Sequence, residues 1–184
     1  MGLRNTTARY GALAQLFHWV IALGFVVQFG LAYYMEDLPN TPFKIDMYNL
    51  HKSIGLTLLA LAVLRLLWRW ANPVPPLPPG RPRWEALASR ASHVGLYGLI
   101  FLQPVTGLVQ ALYARFPSLI WGIKLPKPEA NEAISGAFGA AHFYLQWVVI
   151  GLVAIHIAAA LRHHIVLKDD VLRRMLPWDV RRRP

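Results

Sequence analysis

Cysteine is absent from this 184-residue chain. That excludes disulfides, thiolate-held iron–sulfur clusters and the C-x-x-C-H attachment that fixes a haem covalently. Acidic residues are scarce too, with 9 Asp and Glu against 19 Lys and Arg. Charged residues of either sign make up only 15%, while 55% are hydrophobic. No stretch alternates apolar and polar residues with a period of two, so a membrane barrel is not expected.

What is present is a set of long apolar blocks, at residues 12–35, 47–70, 87–114 and 138–167. Each reaches the ~20 residues that cross a hydrocarbon layer about 30 Å thick. A segment in lipid must satisfy its own backbone hydrogen bonds, so each block is expected to be a helix. A soluble helical fold does not suit Gln146 to Leu161, which is apolar on every face except at His156. The first block does not read as a cleaved signal peptide. Tyr33-Tyr34-Met35-Glu36 follows it, where a small-x-small cleavage site would be needed. The expectation is one all-α integral membrane domain spanning residues 1–184, a four-helix bundle.

The net charge of +10 would suggest nucleic acid in a soluble chain, but its distribution assigns it to topology. Lys44, Lys52, Arg115, Lys124 and Lys127 fall on one side of the four spans, and all the other basic residues fall on the opposite side. The positive-inside rule then places both termini in the cytoplasm. Between the second and third blocks, the linker 71–84 carries Pro73, Pro75, Pro76, Pro78, Pro79 and Pro82. It reads as a stiff polyproline spacer on that side. The loop 36–46, with Pro39 and Pro42, and the loop Phe116 to Glu132 are expected on the outer side. Pro104 is expected to kink the third helix.

Of seven histidines, His18, His51, His93, His142 and His156 lie within or at the ends of the blocks. Ionisable groups in a bilayer are costly and mark function. At ~1.5 Å per residue, His51 and His142 form an outer layer, and His18, His93 and His156 an inner one. His156 follows His142 by fourteen residues, nearly four turns and about 21 Å, so the two share a helix face. Each layer supplies imidazoles from different helices, as a bis-histidine b-type haem requires. Gly55, one turn past His51, leaves room either for a porphyrin or for ordinary packing. Zinc or a proton relay would want acidic partners, and the spans hold no Asp or Glu beside these histidines in sequence. In the inner layer, depth alone does not separate His18 from His93.

With these residues the chain resembles the bacterial cytochrome b561 family of di-haem b membrane proteins. The resemblance covers nearly the whole chain. His18-Trp19, His51, His93 ahead of Pro104, and the pair His142 and His156 match the family's helix histidines. Leu161-Arg162-His163-His164, Lys168-Asp169 and Leu172-Arg173-Arg174-Met175-Leu176-Pro177 are similar to its inner-end signature. The resemblance implies His51 with His142 on the outer haem and His18 with His156 on the inner one, stacked across the bacterial inner membrane. It implies ubiquinone as electron acceptor, with His93, His163, His164 and Arg162 as candidate surroundings. One type in the family is similar to a superoxide oxidase, for which Lys52, Lys124, Lys127 and Arg115 would steer periplasmic superoxide. Other readings are an electron-transfer subunit docking a larger dehydrogenase or hydrogenase, and a histidine-lined transporter without redox chemistry.

Overall fold

The structure, a computed structural model, describes residues 2–78, 80 and 82–177. Pro79, Arg81 and the basic tail Arg181 to Arg183 lie outside the described residues. Among the described residues four helices dominate: α1 (Ala12–Asp37), α2 (Pro42–Trp70), α3 (Arg83–Tyr113) and α4 (Glu132–Ile165). Each is long and apolar enough to cross a membrane. Their apolar side chains point largely outward, as Leu23, Val26 and Ile155 do. In water that arrangement would expose far too much apolar surface, whereas lipid tails accept it. The architecture is an all-α, membrane-spanning four-helix bundle.

Three helices begin earlier than the apolar blocks suggest. Pro42 opens α2 instead of lying in the preceding loop, because the first helical turn tolerates a residue without an N–H. Lys44 then ties the junction, its Nζ donating to the carbonyls of Glu36 and Leu38. The third helix starts at Arg83, directly after Pro82. In α4 the start is Glu132, where the Asn131 side chain accepts the N–H of Ile134. Glu132 in the first turn suits the helix dipole. The Asn131 cap precedes the apolar run of α4, and hydrophobicity alone misses it. The third helix runs unbroken through Pro104.

The loop after α3 holds an unexpected hairpin, β1 (Leu119–Ile120) and β2 (Ile123–Lys124), antiparallel with Ile120 opposite Ile123. Trp121 (φ 49°) and Gly122 (φ 82°) form its two-residue turn. Positive φ at both positions matches the twist of tight hairpins. Ser53 Oγ accepts the Trp121 N–H, and Thr57 Oγ1 accepts the indole N–H. These bonds hold a bulky residue in a conformation that it rarely adopts.

Two compact units emerge, and every helix contributes to both. The terminal unit comprises Met1–Val20, Val63–Gly98 and Val149–Pro184; the hairpin unit comprises Ile21–Ala62 and Leu99–Val148. Within the terminal unit, the segment after α4 closes with a short 3-10 turn, Arg173–Met175. Main-chain carbonyls of this turn accept from the Gln15 amide (Arg174, 3.0 Å) and the Trp19 indole (Met175, 2.9 Å).

Candidate functional site

The hairpin unit contains one pair of histidines. His51 on α2 and His142 on α4 have ring centroids 6.3 Å apart, with planes at 88°. His142 is closely held. Its Nδ1 lies 2.8 Å from the Gln103 carbonyl and 3.2 Å from Thr106 Oγ1. A carbonyl only accepts, so Nδ1 carries the proton and Nε2 keeps its lone pair. That is the tautomer a metal-binding histidine adopts. The amide of Gln103 also donates to the main-chain carbonyl of His142 at 3.1 Å. Gly107 makes the fit possible: a Cβ there would meet the His142 ring at 2.9 Å.

His51 is gripped in a parallel way. Gln28 on α1 donates to the His51 carbonyl at 3.0 Å. The Nδ1 atom of His51 is buried without a hydrogen-bond partner. Gly55, one turn on, gives room to the Gln28 amide, which a Cβ would meet at 2.9 Å.

The terminal unit brings three histidines together. His156 on α4 lies 6.2 Å from His18 on α1 (planes at 64°) and 5.5 Å from His93 on α3 (78°). His93 Nδ1 donates to the Ser89 carbonyl at 2.7 Å, which leaves its Nε2 free. His18 is different: Arg65 Nη1 lies 3.0 Å from its Nδ1. Arginine only donates, so here Nδ1 accepts. Arg65 also donates from Nε to the Tyr97 hydroxyl, and Arg65 and Arg69 both lie over the Tyr97 ring. Sequence reading counted these two arginines as topology markers only. Their i, i+4 spacing on the α2 span was the available signal that one helix face carries both.

The inner-end residues are arranged otherwise than expected. His163 is 7% exposed, with Nδ1 2.6 Å from Asp169 Oδ2 and Nε2 3.9 Å from Glu85 Oε1. Arg162 pairs with the same Glu85 oxygen at 2.6 Å. Acidic partners therefore do stand beside this histidine, brought by the start of α3 and the loop after α4. Sequence neighbours could not reveal partners supplied by another element. His164 is half-buried, its Nδ1 without a partner.

The four expected steering cations sit in the hairpin unit with varied duties. Lys52 Nζ donates to Ser118 Oγ at 3.0 Å. Lys127 Nζ donates to the carbonyls of Ala114, Arg115 and Phe116, capping the end of α3. Arg115 forms an ion pair with Glu132. Lys124 is exposed on β2.

Do these residues fit an iron porphyrin? An imidazole nitrogen binds a metal at about 2 Å, and its ring centroid lies roughly 1.1 Å behind. Two rings on opposite faces of one iron thus have centroids roughly 6.2–6.4 Å apart. His51–His142 at 6.3 Å and His18–His156 at 6.2 Å meet that requirement. His93–His156 at 5.5 Å is too short. Among the described residues no group of three or more His, Asp or Glu is arranged to hold a metal ion, whereas a structural zinc takes four ligands.

The fold and its paired histidines define a class: four-helix membrane proteins with interior imidazoles facing one another across helices. A family profile described as prokaryotic cytochrome b561 matches residues 9–178, and the chain belongs to that family. It is 37% identical over 183 residues to "Cytochrome b561 homolog 2" of Escherichia coli (strain K12), covering 96% of this chain and 95% of that protein. To "Probable superoxide oxidase CybB" of Yersinia pestis it is 29% identical over 171 residues, covering 92% and 96%. To "Cytochrome b561 homolog 1" of Escherichia coli (strain K12) it is 26% identical over 164 residues, covering 87% and 92%. Membership carries a membrane electron-transfer role, of oxidoreductase type, and a capacity to bind haem.

Proposed function

We propose that the chain holds two haems b, one between His51 and His142 and one between His18 and His156, and moves electrons from periplasmic superoxide to ubiquinone. The observation that carries this reading is the centroid spacing. Two pairs, in two units, stand at the separation one iron requires, and the third combination does not. When bound, haem b supplies a one-electron couple at each pair.

The protein's own residues do the rest. Main-chain carbonyls and glutamine amides orient His142 and fix the backbone at His51, so both ligands are set before the cofactor arrives. Two superoxide anions each give up one electron and leave as dioxygen. The two electrons and two protons convert one ubiquinone to ubiquinol. Lys52 and Lys124 offer positive charge on the hairpin side, assigned to the periplasm with both termini in the cytoplasm. His93 keeps a lone pair on Nε2, which can accept a hydrogen bond from a quinol hydroxyl on the terminal side. The buried His163–Asp169 pair suits proton supply there better than quinone contact, because its Nδ1 is already engaged. Support for the substrate comes from the relative named as a probable superoxide oxidase.

The test is direct. Purified protein should show b-type bands with two haems per chain, and should reduce ubiquinone when mixed with superoxide in stopped flow. A pigmented protein inert to superoxide would sink the substrate assignment, and a colourless one the haem assignment. A docking subunit for a larger dehydrogenase is the second reading. What favours it is the hairpin loop, where Phe116 (80%), Trp121 (62%) and Ile123 (72%) are exposed beyond the helices. Co-purification of a dehydrogenase, with no superoxide activity in its absence, would decide for it.

A further inference from the structure

Arg65 and Arg69 form no ion pair among the described residues. Both lie on α2 in the terminal unit, half-buried, and both turn onto Tyr97. Neither has a carboxylate partner among the described residues. The described acids of the terminal unit are paired elsewhere: Glu85 with Arg162, Asp169 with His163 and Asp170 with Arg173. A guanidinium away from bulk water keeps its charge, so it needs an anion or a dense set of acceptors. Among the described residues Arg65 finds a phenol oxygen and the Nδ1 lone pair of His18.

That second contact conflicts with metal binding by His18. A coordinating imidazole gives its Nε2 lone pair to iron and carries its proton on Nδ1, which then donates to an acceptor. The Arg65–His18 bond requires the opposite tautomer. It is therefore incompatible with His18 serving as a ligand through Nε2. Loading the site frees the guanidinium of Arg65. A haem brings two propionate carboxylates, the kind of planar anion an arginine fork grips in bidentate fashion.

We propose that Arg65, with Arg69 beside it and Tyr97 as the platform beneath both, is the anchor for a propionate of the haem held by His18 and His156, exchanging His18 Nδ1 for that carboxylate on loading. The inference rests on the di-haem reading above. Arg65 acts as a positioning and tuning residue. It fixes the porphyrin edge, and its fixed positive charge favours the reduced iron of that haem over the oxidised one. The hairpin unit shows no counterpart: glutamines grip the main chain of its histidines and its histidine rings touch no arginine.

The test compares wild type with Arg65→Gln and Arg65→Lys by redox titration. It adds infrared redox-difference spectra on protein carrying haem labelled with carbon-13 at the propionate carboxyls. In Arg65→Gln, the haem that is missing from His18→Ala protein should lose at least about tenfold in electron affinity, about 59 mV for one electron. The other haem should be unmoved, the labelled carboxylate bands should shift, and Arg65→Lys should recover part of the potential. Unchanged midpoints and unchanged carboxylate bands in Arg65→Gln would overturn the proposal. If Arg65→Gln does not assemble, reduced wild-type protein with labelled haem and nitrogen-15 arginine decides by solid-state NMR. Carboxyl–guanidinium dipolar coupling supports the anchor, and its absence overturns it. Wild type without haem bands would instead sink the haem reading itself, so the two failures are distinct.

Discussion

The two units hold their histidines by different means. In the hairpin unit there is one possible pair, and the hydrogen bonds that hold it come from neutral groups: the Gln103 and Gln28 amides, the Gln103 carbonyl and Thr106. In the terminal unit two histidines converge on His156, and two guanidiniums stand next to them. A site with one partner and neutral supports is built for a fixed geometry. A site with a spare imidazole, nearby cations and a buried His–Asp pair can also exchange hydrogen bonds and protons. On the proposed reading, both units hold ligands, and quinone and proton chemistry belongs to the terminal one.

The largest effects should come from deleting the shared helix's own ligands. His142→Ala should lose the hairpin-unit haem and His156→Ala the terminal-unit haem, each leaving about half the pigment by extracted-haem assay. Equal loss of both haems in each folded variant would break the division into two sites. Next in size is the choice within the terminal unit. His18→Ala should lose one haem, whereas His93→Ala should keep both and lower the rate of quinone reduction. The 5.5 Å spacing of His93 and His156 leaves no room for an iron between them. The reverse pattern of haem contents would exchange the roles of His18 and His93.

A smaller change probes how tightly the hairpin unit is fixed. Gly107→Ala places a methyl 2.9 Å from the His142 ring, and the ring is tethered at Nδ1, so it has little freedom to yield. Overpacking of this kind costs about 1–3 kcal/mol. The expected result is a shifted low-spin electron paramagnetic resonance signal, with reduced occupancy, for the hairpin-unit haem alone. A spectrum identical to wild type would show that His142 is less confined than its contacts imply. Gly98→Ala, which meets nothing within 4 Å, serves as the silent control in the same helix.

Much of this was legible in the chain because membrane spans and buried histidines are strong signals. The apolar blocks located four helices, and helical rise sorted His51 and His142 from His18, His93 and His156. Helix starts at Pro42, Arg83 and Glu132 were missed because capping uses polar residues that precede the apolar run. The hairpin was missed because two-residue strands leave no periodicity to read. The choice between His18 and His93 depended on tenths of an ångström between rings from different helices. Gln28, Gln103 and Arg65 were also hidden, since their significance is a tertiary contact and not a spacing. Sequence does show which residues lie on a span. It does not show which of them meet.

The smallest expected effects concern the cations of the hairpin unit, and they separate residues that sequence grouped together. Lys127 donates to three carbonyls at the end of α3, a place where a cation also opposes the negative end of the helix dipole. Lys127→Ala should therefore lower thermal stability by about 1 kcal/mol, and should change the superoxide rate little. Arg115 is neutralised locally by Glu132, so the pair adds no net charge for an approaching anion. Lys124 is exposed and Lys52 adjoins His51, with its Nζ on Ser118. Long-range attraction by one or two exposed charges is weak and falls with salt, because the Debye length is only about 8 Å at physiological ionic strength. Lys52→Ala and Lys124→Ala should each reduce the low-salt superoxide rate about two- to threefold, and the difference should vanish by about 0.5 M salt. If Lys127→Ala gave the larger, salt-dependent loss of rate, its ammonium would be a steering charge after all. The division between capping and steering cations would then have to be redrawn.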